Sequence, residues 1–241
     1  MNRKASFILA FIITLLILGN YLFISDEGVS REKAKISRVL DGDTVELTDG
    51  RKIRLLNINT PEKGLPYSDL AKNYLLNFTD IEIETAGLDR YERILGRLYF
   101  KEDYLNLEIV KNGMAHSYLV SDSEERIFEK AEEYAIKNQK NIWEKSDFVD
   151  CLSVEINKYD EYLDIFDSCG LDFIGWSIKD ESTKSYKFKK DMQDSFRLYS
   201  AKGTDSESEL HWGIEKIWND DHDEIFIRDA SGLLVYYDSY Q

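Results

Sequence analysis

Three β-prone runs crowd into the stretch from Lys35 to Ile58: Lys35–Leu40, Thr44–Leu47 and Arg51–Ile58. Asp49-Gly50 stands between the last two, a strong hairpin signal because both central residues of a two-residue turn need positive φ. Tyr67–Phe78 then carries Leu70, Ala71, Tyr74, Leu75 and Phe78 at helical spacing. Two further strands are predicted at Ile81–Thr85 and Ile94–Phe100, and a short helix at Tyr104–Asn112 that stops at Gly113. A last helix opens with Ser121 and Glu124 placed as a capping box and has Phe128, Ala131, Ala135 and Asn138 on one stripe. Five short strands with interspersed helices fit a small α+β domain built on a barrel.

After Asp147 the pattern changes to strands and turns alone. Runs at Leu152–Ile156, Glu161–Phe166, Phe173–Ile178, Ser185–Phe188, Ser195–Ser200, Glu224–Arg228 and Leu233–Tyr237 recur at roughly ten-residue spacing, as in an all-β sandwich. The charge changes at the same place. Residues 31–146 hold 19 basic and 22 acidic side chains, whereas residues 147–241 hold 10 and 22, so most of the net charge of −15 falls in the second stretch. Such a balance excludes a protein that coats nucleic acid by bulk electrostatics. The expected organisation is a membrane anchor or signal segment with a linker at 1–30, an α+β domain at 31–146 and a β-sandwich at 147–241.

The first of these segments sets the compartment. Asn2-Arg3-Lys4 precedes an apolar run from Phe7 to Ile24, which ends at Asp26-Glu27. Either an uncleaved transmembrane helix or a cleaved signal peptide leaves Arg3 and Lys4 in the cytoplasm and the rest of the chain outside. In that oxidising space Cys151 and Cys169 are expected either to bridge or to remain buried thiols in different strands.

Polar residues interrupt the predicted barrel elements at particular places. Asp41, Asp43, Asn59, Thr60 and Glu62 are hard oxygen donors at the ends of strands that a hairpin brings together, the ligand type that Ca²⁺ requires. Arg54 lies in the apolar run Ile53-Arg54-Leu55-Leu56, where a buried guanidinium needs an anionic partner. Arg93 stands at the entry to another strand. Carboxylates for a metal and two arginines for a phosphate are the minimum equipment for phosphodiester hydrolysis.

Asp41-Gly42-Asp43-Thr44, Ile53-Arg54-Leu55-Leu56-Asn57-Ile58-Asn59-Thr60-Pro61-Glu62, Asp89-Arg90-Tyr91-Glu92-Arg93 and Asn141-Ile142-Trp143 occur in that order. Together they resemble the staphylococcal nuclease (thermonuclease) family over about residues 33–146. The resemblance implies an OB-type five-stranded barrel with three helices. It also implies Asp43 as the main Ca²⁺ carboxylate, the Thr60 carbonyl as a ligand, Asp41 in support, Glu62 orienting or deprotonating the attacking water, and Arg54 and Arg93 on the scissile phosphate. Arg93 is assigned to electrostatic stabilisation, since an always-charged guanidinium is a poor proton donor. The family usually has aspartate where this chain has Asn59, which implies either weaker Ca²⁺ binding or a looser metal requirement, or else a simple ligand replacement of little consequence. Tyr118 stands about where the family positions aromatics beside a bound base, with a core tyrosine as the alternative. His116 reads as a structural residue, and Tyr67 is left open between a loop over the substrate and no role in the site.

Glu161–Phe166, Gly175-Trp176-Ser177-Ile178, Gly203–Gly213, Trp218-Asn219 and Asp229–Tyr236 resemble the lamin-tail domain, which implies an immunoglobulin-like sandwich. Asp220–Glu224 is read as a solvated acidic loop, and this acidic module as a spacer or adhesion unit for protein, glycan or cell-surface material. The whole predicts an extracellular, Ca²⁺-dependent nuclease acting on DNA and RNA, membrane-anchored or secreted. The alternative is a catalytically inactive barrel that acts with the sandwich as a nucleic-acid or protein binding module.

Overall fold

The computed structural model describes residue 14, residues 31–182 and residues 184–240. The expected anchor or signal helix lies outside the described residues. Among them, no helix is long and apolar enough to cross a membrane.

The first half is a closed barrel. Strands β1 (Glu32–Val39), β2 (Thr44–Leu47) and β3 (Lys52–Leu55) are followed by β4 (Ile58–Asn59), helix α1 (Leu70–Leu75), β5 (Asp80–Leu88) and β6 (Ile94–Phe100). Hydrogen bonding runs β3-β2-β1-β5-β6, and a parallel pairing of β3 with β6 closes the ring. The short β7 (Asp103–Tyr104) extends the β6 edge and leads into α2 (Leu105–Lys111); β8 (His116–Ser117) pairs with β4, and α3 (Glu125–Lys137) follows. Val45, Ile53, Leu55, Ile83 and Leu98 fill the barrel, with Leu75, Ile109 and Phe128 supplied by the three helices.

Four local expectations are corrected. Only Gly50 of the Asp49-Gly50 pair takes positive φ, at 88°. The Leu47 amide donates to the Arg51 carbonyl at 2.9 Å and the Gly50 amide to Leu47 at 3.0 Å, so residues 48–50 form a three-residue loop and not a two-residue one. The predicted strand Arg51–Ile58 is two strands, because Asn57 at φ 65° turns the chain between them. Ser121 and Glu124 make no capping box. The Glu124 carboxylate instead takes Arg97 Nε at 2.8 Å and Asn57 Nδ2 at 2.7 Å, and a partly buried charge pair outcompetes an exposed cap. Asn138 is exposed at the C-cap, outside the buried stripe.

The second half consists of two four-stranded sheets. Strands β9 (Leu152–Asn157), β10 (Tyr162–Asp167), β11 (Ser177–Lys179), β12 (Ser185–Lys187), β13 (Ser195–Tyr199), β14 (Glu209–His211), β15 (Asp223–Arg228) and β16 (Leu234–Tyr240) divide between them. The sheet orders are β14-β13-β10-β9 and β12-β11-β15-β16. Leu163, Ile165, Phe173, Ile178, Phe188, Phe196, Ile225 and Ile227 form their shared core. Phe173–Trp176 is not strand: Phe173 packs as a core hub on Trp176, Phe188 and Phe196 at 5.0–5.6 Å between ring centroids. Strand β14, missing from the sequence reading, pairs parallel with β13 and is only three residues long. Cys151 and Cys169 are bridged. Closing an 18-residue separation is worth about 3 kcal/mol on the chain-entropy estimate.

The halves meet in a third cluster. Ala135, Ile142 and Trp143 from the first half pack on Phe226 and Leu234 from the second. The connecting chain joins the sheet edge: Leu234 donates its amide to the Glu144 carbonyl at 2.8 Å, and Ser146 donates its amide to the Leu234 carbonyl at 2.9 Å. The Ser146 hydroxyl donates to Asp229 Oδ2 at 2.6 Å. His116 is buried here against Phe226 at 4.2 Å and Trp143 at 5.0 Å, and burial lowers its pKa to about 4. Tyr67 also packs into this cluster.

One half-buried carboxyl at this interface gives a measurable pH dependence. Burial pushes Glu224 up to about 8, and Glu132 from α3 adds repulsion, while the Tyr237 hydroxyl donates to Glu224 Oε1 at 2.9 Å. An ordinary glutamate titrates near 4.5. Between those values the unfolded chain has lost a proton that the folded chain keeps, so rising pH lowers this group's contribution to stability. Glu224→Gln removes that dependence. Its Tm is expected to gain on the wild type by a margin that grows from about pH 5 to about pH 8 in calorimetry, and a constant margin would refute the assignment.

Candidate active site

The site is assembled where β2 begins and β3 ends. Asp41-Gly42-Asp43 is a turn in which the Asp43 amide donates to Asp41 Oδ1 at 3.1 Å. Gly42 is required by close approach: a Cβ there would lie 2.8 Å from Thr60 Oγ1. Antiparallel register sets Thr44 opposite Arg54, and the barrel-closing pairing sets Arg54 opposite Leu95. Ile53 and Leu55 point into the core, so alternation directs Arg54 to the other face.

Arg54 Nε stands 3.2 Å from Asp43 Oδ1, with the two side chains only 14% and 11% exposed. Its Nη1 donates to the carbonyls of Leu55 at 2.6 Å and Ile58 at 2.9 Å, the latter brought round by the turn at Asn57. Asp43 Oδ2 accepts from the Thr60 amide at 3.2 Å and hydroxyl at 3.0 Å, and Oδ1 accepts from the Thr44 hydroxyl at 3.2 Å. Burial nevertheless raises the Asp43 pKa; Arg54 and the Thr60 donors oppose it, and Asp41 adds to it.

Arg93 reaches the same place from the entry to β6. Its Nη1 lies 3.4 Å from Thr44 Oγ1, so Thr44 links it to the Asp43–Arg54 pair. Asp89 aims it, accepting from Arg93 Nε at 2.7 Å and from the Arg93 amide at 2.9 Å. Burial raises the Asp89 pKa, but the hydrogen bonds from Arg93 and the Tyr91 amide outweigh it and hold the carboxyl below its usual range.

The remaining expected site residues are arranged less tightly. Glu62 is exposed in the loop two residues beyond Thr60. Asn59 faces the other half of the chain, its Nδ2 donating to the carbonyls of Ser182 at 3.2 Å and Glu181 at 3.4 Å. Tyr118 is half-buried, its amide donating to the Asn57 carbonyl at 3.0 Å. Its phenol is held above the ordinary range by burial and by Glu181 and Asp180, with Arg54 and Arg90 acting oppositely.

The profile of the family described as Staphylococcal nuclease homologue matches residues 52–145. An endonuclease of Haemophilus influenzae, described as uncharacterized, is 34% identical over 123 residues, covering 47% of this chain and 68% of that protein. The thermonuclease of Staphylococcus intermedius is 30% identical over 137 residues, covering 50% of this chain and 82% of that enzyme. The chain belongs to the staphylococcal nuclease family. Endonuclease YhcR of Bacillus subtilis shares 31% identity over 138 residues, 46% of this chain but only 11% of that protein. The family match ends at residue 145, ahead of the β-sandwich.

In this staphylococcal nuclease fold the donor set suits a divalent cation in one respect and restricts it in another. A desolvated carboxylate with a second carboxylate beside it is relieved by a cation. Yet among the described residues no three His, Cys, Asp or Glu side chains are grouped to hold a metal. The expected donor set of Asp43, Asp41, Thr60 and Asn59 contains only two carboxylates. The Asp220–Glu224 stretch is structural: Asp223 accepts from the amides of Glu181 at 3.2 Å, Asn219 at 3.0 Å and Glu224 at 2.8 Å. Two supporting roles escaped the sequence reading. Thr44 and Asp89 both lie in the quoted motifs, but their roles depend on strand register and turn geometry.

Proposed function

We propose that the chain is a sequence-nonspecific, Ca²⁺-dependent nuclease of DNA and RNA acting outside the cytoplasm. The observation that carries the reading is the convergence of two guanidiniums, Arg54 and Arg93, on one partly buried carboxylate site through Asp43 and Thr44. Nuclease names among its family relatives support the reading. The Cys151–Cys169 bridge supports the oxidising compartment.

Ca²⁺ held by Asp43, Asp41, Thr60 and Asn59 would supply positive charge and polarise the groups it touches. Arg54 and Arg93 bind the phosphoryl oxygens, where negative charge grows as the attacking water's oxygen bonds to phosphorus. Glu62 takes the water's proton, the phosphorus–ester oxygen bond breaks, and the departing alkoxide takes a proton from solvent. Tyr118 offers a face to a base. The sandwich, lamin-tail-like and immunoglobulin-like in this reading, engages a protein or cell-surface partner, and the N-terminal segment fastens the chain to the membrane or is cleaved on export.

The test is cleavage of single- and double-stranded DNA and of RNA by the chain, with Ca²⁺ and with chelator. Chelator is expected to abolish cleavage, and Glu62→Gln to lower kcat by about 10²–10⁴-fold. A wild-type chain that cuts nothing would support the inactive binding barrel. Activity untouched by Glu62→Gln would remove that residue as the base.

A further inference from the structure

Glu62 stands on a loop, and among the described residues no group pairs with its carboxylate. The backbone alone therefore sets its position. That backbone is a tight turn, in which the Leu65 amide donates to the Glu62 carbonyl at 2.9 Å and Gly64 takes φ 90°. Directly after the turn the chain meets the sandwich. A Cβ on Gly232 would lie 2.4 Å from both Cβ and Cγ of Pro66, so only glycine admits this approach. Tyr67 follows, packed into the cluster where the halves meet, its hydroxyl donating to Glu144 Oε2 at 3.4 Å. It takes φ 66°, a left-handed conformation that a bulky residue keeps only where its surroundings hold it. The seat itself is braced. Arg228 Nη1 donates to the Gly232 carbonyl at 3.2 Å, the Gly232 amide donates to the Asp229 carbonyl at 2.9 Å, and Asp229 Oδ1 accepts from the Ser231 amide at 2.8 Å and the Leu233 amide at 3.0 Å.

We propose that the sandwich belongs to the catalytic apparatus of the barrel: Gly232 and Tyr67 are positioning residues that dock the loop after Glu62 and thereby fix the place of that carboxylate. This rests on the nuclease reading above, in which Glu62 is the base. Between Thr60, which is tied to Asp43, and α1, which begins at Leu70, the dock supplies what the loop's own turns cannot, a fixed point outside the loop. Arg54 and Arg93 bind phosphate without passing through this segment, so the dock acts on kcat and not on substrate affinity.

The experiment reads kcat and KM of the full chain on single-stranded DNA with Ca²⁺, and hydrogen exchange at the Leu65 amide. Gly232→Ala drives a methyl group into Pro66, and Tyr67→Ala empties the seat without touching the sandwich. Each is expected to lower kcat by about 10–10²-fold, the cost of misplacing a reacting group by about 1 Å. KM should not change, and exchange at Leu65 should quicken. In a Glu62→Gln background neither substitution should lower kcat further, because groups that act through one base are not additive. Two controls separate docking from stability. Gly170→Ala puts a comparable left-handed strain, at φ 73°, into open space in the sandwich and should leave kcat unchanged. Tyr67→Phe keeps the packing and should retain most of kcat. If Gly232→Ala does not fold, Tyr67→Ala carries the test. Wild-type kcat in Tyr67→Ala, or the same loss with and without Glu62→Gln, overturns the dock and leaves the nuclease reading intact. Cleavage undiminished by Glu62→Gln removes the base and this inference with it, and a wild-type chain that cuts nothing overturns the nuclease reading itself.

Discussion

Arg54→Ala should lower kcat for DNA cleavage by about 10²–10³-fold, the usual consequence of removing one preorganised charge from the developing oxyanion. The same substitution should also destabilise the fold. Arg54 is the cationic partner of a carboxylate that is itself only 8% exposed. Removing one member of such a pair typically costs about 3–5 kcal/mol; the donors that remain on Asp43, from Thr60 and Thr44, favour the lower end. Arg54→Lys separates the two effects. It restores a positive charge beside Asp43 and part of the Tm, but one ammonium cannot reproduce the forked hydrogen bonding that also reaches Leu55 and Ile58, so kcat stays low. Steady-state kinetics with Ca²⁺ and urea unfolding of the three proteins provide the comparison. An Arg54→Ala enzyme with undiminished kcat would remove Arg54 from the phosphate site.

Trp143→Ala is the substitution with the largest expected effect on stability, about 3–5 kcal/mol as for other large-to-small core changes. Trp143 is 1% exposed although it belongs to the last turn of the barrel half, because Phe226 and Tyr237 of the sandwich cover it at 5.9 Å and 5.0 Å. His116 packs on it at 5.0 Å. The cavity would open between the halves rather than inside one of them, so the substitution should uncouple them. Calorimetry is expected to show one transition in the wild type and two in the variant. Two transitions in both proteins, with only one shifted, would mean that the halves fold independently.

Much of this fold was legible in local pattern. Short β-prone runs located Thr44–Leu47 and Ile94–Phe100 to the residue. Spacing marked the buried faces of two helices through Leu75 and Phe128. The errors fall where a distant partner outweighs a local signal. Glu124 leaves its capping role for Arg97 and Asn57. Asn57 breaks an otherwise continuous strand, and Phe173 is a core hub between two sheets rather than a strand residue.

The site divides in the same way. The sequence alone named Asp43, Thr60, Arg54 and Arg93, because charged and oxygen-bearing residues at strand ends are costly unless they have partners or chemistry to serve. Only tertiary structure decided which partners those are. Barrel closure places Thr44 between Asp43 and Arg93, and the turn at Asn57 brings the Ile58 carbonyl to Arg54. Asn59 shows the limit most directly: by the family resemblance it is one lost negative charge in an expected cation site, and in the fold it is an amide donor to Glu181 and Ser182. Hydrogen bonds are short-ranged and directional, so a residue's role follows from whatever the completed fold brings within about 3 Å of it.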